Sequence, residues 1–192
     1  HMPHTTLGLL TAMRSHRVDS PDAGRAAGTG RPDACTLCHV DQSLVWSGRW
    51  LSSWYGQPAL VDFDTGRSAA VQGLLTGDAA QRAVWAWHLG WGPARQAAGE
   101  DWQPALLAFA LEDPYSAVRS IAWQRLQTFE GYDVPYDFAA PDGAAVDAVL
   151  DRWEATTVVP RPSVLVGEDG LDIETVELLQ SVRDETPVVV SE

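Results

Sequence analysis

The chain has 192 residues, 45% of them hydrophobic, which is enough to bury a core in one compact domain or in one domain with a small appendage. Its formal charge of -13 and pI near 4.6 argue against nucleic acid and anionic membrane surfaces, both of which call for a basic patch. No apolar run approaches the roughly 20 residues that span a bilayer, so no membrane insertion is expected, and the opening HMPHTTLGLL lacks the regions of a secretory signal.

In chain order, residues 5–14, TTLGLLTAMR, fit a short helix, and VDSPDAGRAAGTGRPDA after them reads as an irregular loop. Asp41 is placed to cap a helix running to about Tyr55. Leu44, Val45 and Leu51 fall on one side of it, Trp46, Trp50 and Trp54 recur four apart, and Gly56-Gln57-Pro58 ends it. Residues 67–130 carry four or five short helices that break at Gly or Asp, with Asp113-Pro114 as a helix start. The run Asp113-Pro114-x-x-Ala117-Val118-Arg119-x-x-Ala122 resembles the second helix of a HEAT-type repeat, which implies helices stacked as antiparallel pairs.

Beyond these, GYDVPYDFAAP is a loop pinned by Tyr132, Tyr136 and Phe138, and a further helix is expected over about 142–155. The tail offers PRPSVLV, a turn at Gly167 to Gly170, an acidic helix DIETVELLQSVRD and TPVVVSE, whose two valine-rich pieces could pair as a small ribbon. This divides the chain into a segment 1–66 around the cysteines, a helical bundle 67–155, and a tail 156–192 with a short helix.

The chemistry centres on Cys35-Thr36-Leu37-Cys38-His39. The only two cysteines lie three apart, too close to close a stabilising loop. A structural zinc site asks for four ligands, and neither a second CxxC nor a histidine pair at zinc-finger spacing exists. A thioredoxin-like redox pair asks for a strand before it and a helix from its first cysteine, whereas a Gly/Pro-rich stretch leads into Cys35. Covalent c-type haem asks for this pentapeptide: two thiols add to the haem vinyl groups, and the adjacent histidine is the proximal iron ligand.

The sixth ligand decides between an electron carrier and an open, reactive iron. The candidates are His16, His88, His4, Met13 and Met2. His16, in the polar AMRSHRVDSP before the clip, is favoured. His88, within VWAWHLGW, reads first as a core histidine held by a backbone carbonyl, although Trp85, Trp87 and Trp91 would give a haem dry company. The nine tryptophans read first as helix-packing residues, with Trp46 and Trp50 nearest in sequence to the clip.

Residues 2–56 resemble the last haem-binding segment of bacterial multihaem c-type cytochromes, a group often joined to tetratricopeptide or HEAT-like helical repeats. The matching elements are Met2-Pro3, Ser15-His16, Gly30-Arg31-Pro32-Asp33-Ala34-Cys35, Cys38-His39, Asp41, Trp46 and Trp54-Tyr55-Gly56. The resemblance implies that Cys35, Cys38 and His39 bind haem, that His16 is a distal ligand to this haem or a neighbouring one, and that Met2-Pro3 follows an upstream haem motif. It departs from the family in having one CxxCH where those proteins have several.

The expectation is a mainly α protein: a c-type haem-binding segment, HEAT-like helical hairpins, and room for a small β ribbon near the C-terminus. Its function would be electron transfer through one covalent haem c, with redox proteins or neighbouring haem domains as partners. Thioether formation places it in an exported compartment, periplasmic or extracellular. Two alternatives stand beside this. One is the same haem with an open sixth site acting on peroxide or a nitrogen oxide; the other is a non-haem helical interaction scaffold in which the CxxC is a bystander.

Overall fold

In the computed structural model, which describes residues 2–8, 10–15, 20–60, 66–141, 143–156 and 159–187, serine and aspartate caps cut the chain into short helices. Helix α1 (Ala23–Thr29) begins at Asp22, whose side chain accepts from Arg25 N, and stops at Gly30 in the left-handed region. Helix α2 (Leu44–Tyr55) begins at Ser43, which accepts from Trp46 N, and stops at left-handed Gly56. Ser68 caps α3 (Ala69–Thr76), and Asp78 with Gln81 forms a reciprocal capping box on α4 (Ala79–Leu89). Then come α5 (Gly92–Ala98), α6 (Gln103–Ala110), α7 (Ser116–Leu126), α8 (Ala144–Glu154) and α9 (Ile173–Ser181). The protein is thus mainly helical, with two small antiparallel sheets among the described residues.

Helix α4 is central: α3 and α7 pack on it, while α6 packs against α7 and α8. Trp85, Leu89, Leu106, Leu107, Ile121 and Leu126 fill the space between them. Each such side chain contributes about 1.5–3 kcal/mol by leaving water. Gly73 is the point of closest approach, since a Cβ there would lie 1.9 Å from Trp85 Nε1. A buried ion pair sits in this core. Arg82, 1% exposed, pairs Nε with Asp113 Oδ2 at 2.5 Å and Nη2 with Asp113 Oδ1 at 3.1 Å. Its Nη1 donates to the carbonyls of Gly77 and Asp184.

Of the four or five helices expected over 67–130, five are present; Tyr132 is buried and Tyr136 Oη donates to the Leu111 carbonyl, whereas Phe138 is exposed. Elsewhere the structure corrects the sequence reading. Where 5–14 is expected to be helical, β1 (Thr6–Gly8) pairs antiparallel with β2 (Thr11–Met13), Leu7 facing Ala12. A lone helix of that length is marginal in water, whereas the hairpin lays Leu7 and Ala12 on the core beside α4. The expected loop contains α1, whose Ala23 and Ala26 are buried and which packs on α2.

Two caps also differ. Ser43, not Asp41, caps α2, because the Asp41 carboxylate accepts from Gln42 Nε2 instead. Asp113 is not the N-cap of α7; the Arg82 ion pair draws it inward, and it accepts from Tyr115 N as the chain turns into Ser116. In the tail β3 (Val166–Gly167), which takes Val166 from PRPSVLV, pairs with β4 (Gly170–Leu171), and the second valine-rich piece, 188–190, lies outside the described residues.

Candidate functional site

The Cys35–His39 segment is itself a folded turn. Leu37 N donates to Asp33 O at 3.2 Å, and Cys38 N and His39 N both donate to Cys35 O, at 3.2 and 2.9 Å. Bonds of this span wind the chain helically, so residues i, i+3 and i+4 share a side. That side carries Cys35, Cys38 and His39, all partly exposed. Leu37 and Val40, themselves three apart, lie on the other side with no exposed surface and join the core. The CxxCH spacing therefore becomes one partly exposed face and one anchoring face.

The entry to the turn is fastened by Asp33. Its Oδ2 accepts from Cys35 N at 3.0 Å and from Ser47 Oγ at 2.6 Å, and its carbonyl accepts from Thr36 Oγ1 at 3.1 Å. Asp33 is 4% exposed and Ser47 fully buried, so this is an internal tie between the turn and α2. Both cysteines are free thiols. Burial, then the Asp33 charge, pushes the Cys35 thiol up, against a smaller opposing pull from Ser47; burial pushes Cys38 up as well. Low-pKa thiolates, the mark of disulfide-exchange pairs, are not what this environment favours.

An aromatic strip leads away from the turn. The His39 ring lies 4.9 Å from that of Trp46 at 48°. Trp50 and Trp54, one and two turns along α2, are 5.1 Å apart and point outward, Trp54 being 62% exposed, with Tyr55 beside it. The core instead receives Leu51, Ser47 and Gly48 from this helix, so Trp50 and Trp54 do not serve in helix packing.

The other predicted ligands are scattered. His16 lies outside the described residues. His88 has no exposed surface, and its Nε2 lies 2.7 Å from the His4 carbonyl. Burial pushes His88 down to about 4, against the smaller upward influence of the His4 and Leu37 carbonyls. His88 thus sits as a neutral core histidine where α4, the N-terminal segment and the turn converge. The His4 ring lies 4.5 Å from Trp87 and 5.6 Å from Trp91 and is held below the usual histidine range by burial and then by Arg14. Met2 and Met13 are exposed.

Among the described residues, no group of three or more His, Cys, Asp or Glu side chains is arranged to hold a metal ion by itself. Two free thiols and an imidazole stand on one partly exposed side of the turn, with the Trp46 ring beside His39. Sequence reasoning missed Asp33 and Ser47. Asp33 was within reach of it, as an acceptor two residues before a turn. Ser47 was not, because its role comes from packing across 14 residues. No known protein family matches the chain, and neither curated proteins nor solved structures supply a similar one.

Proposed function

We propose that the protein is a c-type cytochrome domain that carries one covalently attached haem and transfers electrons. The observation that carries this reading is the single outward face formed by Cys35, Cys38 and His39. Bound haem supplies a one-electron iron couple. In attachment each S–H adds across one vinyl C=C, sulfur bonding one carbon and hydrogen the other, so no oxidant or reductant is consumed. The residues meet that requirement by keeping both cysteines as free thiols on partly exposed residues.

In this reading His39 is the proximal ligand and its contact with Trp46 limits how the imidazole can turn. His16 is the distal ligand. His88 and His4 are poorer choices, since His88 Nε2 is engaged by a carbonyl and His4 packs against tryptophan rings. The helices α3–α8 serve as a HEAT-like scaffold that anchors the turn through Leu37 and Val40. Thioether chemistry places the protein in the periplasm or outside the cell, and its partners are redox proteins or neighbouring haem domains.

The engagement of His88 favours one second reading, an iron whose sixth site is open to a small oxidant such as peroxide or a nitrogen oxide. A visible spectrum of protein made in a c-haem-maturing host separates the two. A low-spin spectrum unchanged by carbon monoxide or cyanide, becoming high-spin and ligand-sensitive in His16→Ala, is expected for the carrier. Rapid ligand binding by the unaltered protein overturns it in favour of the open site.

A further inference from the structure

We propose that Asp33 is a positioning residue for haem attachment, tying the Cys35–His39 turn to α2 in the register that keeps Cys35, Cys38 and His39 together on one partly exposed side. The inference rests on the haem reading above and adds a residue that touches neither haem nor iron.

Asp33 accepts from Cys35 N and Ser47 Oγ at Oδ2 and from Leu37 N and Thr36 Oγ1 at its carbonyl, and the Cys35 thiol also hydrogen-bonds its side chain. Two of these close the first turn of the clip, as a capping residue does for a helix. The Ser47 bond, at 2.6 Å, instead fixes the rotation of that turn relative to α2. Rotation is what matters for attachment. Cys35, Cys38 and His39 share a face only while Leu37 and Val40 face the core, and a loosened turn would offer one thiol with the other misaligned.

Nothing else among the described contacts supplies both restraints. Ala34 has no side-chain hydrogen bond to offer, and Ser43 and Asp41 are committed to Trp46 N and Gln42 Nε2. The tie is charge-assisted and buried, which makes it stronger than a neutral surface bond. Its other oxygen, Oδ1, is buried without a partner among the described residues. Asn at this position keeps an acceptor oxygen for Cys35 N and Ser47 Oγ, whereas Ala keeps none.

The test compares unaltered protein with Asp33→Ala, Asp33→Asn and Ser47→Ala, matured side by side in a c-haem-competent host. Intact mass gives the haem content, and the pyridine haemochrome spectrum counts thioethers, because each vinyl left unreacted shifts the band to longer wavelength. Far-UV circular dichroism monitors the helical body separately. We expect the doubly attached fraction to fall about tenfold in Asp33→Ala, with single-thioether product and a red-shifted band, and less in Ser47→Ala. Asp33→Asn should recover most of the double attachment. If Asp33→Ala or Ser47→Ala cannot be recovered folded, the Asp33→Asn recovery and the amide-exchange protection of Cys38 and His39 in haem-free protein decide. Equal double attachment in Asp33→Ala and in the unaltered protein overturns the role of Asp33 and leaves the haem reading intact. Unaltered protein without haem overturns the haem reading itself.

Discussion

In the helical body, Arg82 is 1% exposed and its guanidinium is taken up by Asp113 and two carbonyls, while a few residues away Trp85 fills the space left by Gly73. In the Cys35–His39 turn the arrangement is the reverse: the anchoring side chains are hidden and the two thiols and the imidazole are left reachable. Buried polar atoms matched by partners mark a region whose sequence maintains the fold. Reactive atoms left outward on a well-anchored turn mark a region whose sequence does something else. Substitutions in the body should therefore cost stability, and those on the outward face should cost attachment with little loss of stability.

The largest effect is expected from Arg82→Ala, which leaves the buried Asp113 carboxylate without its ion-pair partner; a loss of about 3–5 kcal/mol in urea unfolding follows, and a loss below about 1 kcal/mol would show that the pair is dispensable. Leu37→Ala tests the hinge between the regions. With no exposed surface, Leu37 should cost about 2–5 kcal/mol on truncation and lower haem attachment too. An unchanged attachment yield would separate anchoring from presentation.

The third effect concerns pH. Folding holds His88 neutral at about 4, below the usual 6.5, so between these values the unfolded chain binds the extra proton. The contribution of this group is then complete above about pH 6.5 and is lost as pH falls toward 4, on the order of 3 kcal/mol over that window. Urea titrations at stepped pH should show that slope reduced in His88→Gln; an identical slope would place the acid sensitivity elsewhere. Asp22→Ala, which removes the cap of α1, is expected to cost about 1 kcal/mol. Smallest of all, Trp54→Ala on the exposed strip should shift stability by no more than about 0.5 kcal/mol. A larger loss would mean that the strip belongs to the body.

The same division explains what could be read from the chain alone. Helices α3 to α7 were legible because Gly and Asp interrupt helical periodicity at each boundary, and the clip was legible because its five positions are consecutive. The hairpin at 6–13 was not, since its pairing is stabilised by Leu7 and Ala12 reaching the core near α4, a tertiary effect that overrides local pattern. Nor was the outward course of Trp50 and Trp54, because tryptophans at helical spacing usually face a core. The attachment of the tail was equally hidden. Ser68 N bonds Ser163 O, and Asp184 N bonds Thr76 O, so the tail is fastened to the two ends of α3, with α9 packed on it, through contacts more than 90 residues apart in sequence.

The central claim is that the outward face of the turn takes a covalent haem through both cysteines. Intact mass, read with a pyridine haemochrome spectrum, on protein matured in a c-haem-competent host tests it most directly, with Cys35→Ser and Cys38→Ser as paired controls. The account predicts one haem per chain held by two thioethers, one thioether in each single variant and none in the double variant. A colourless protein at the bare polypeptide mass, with both thiols still free to alkylate, would contradict it.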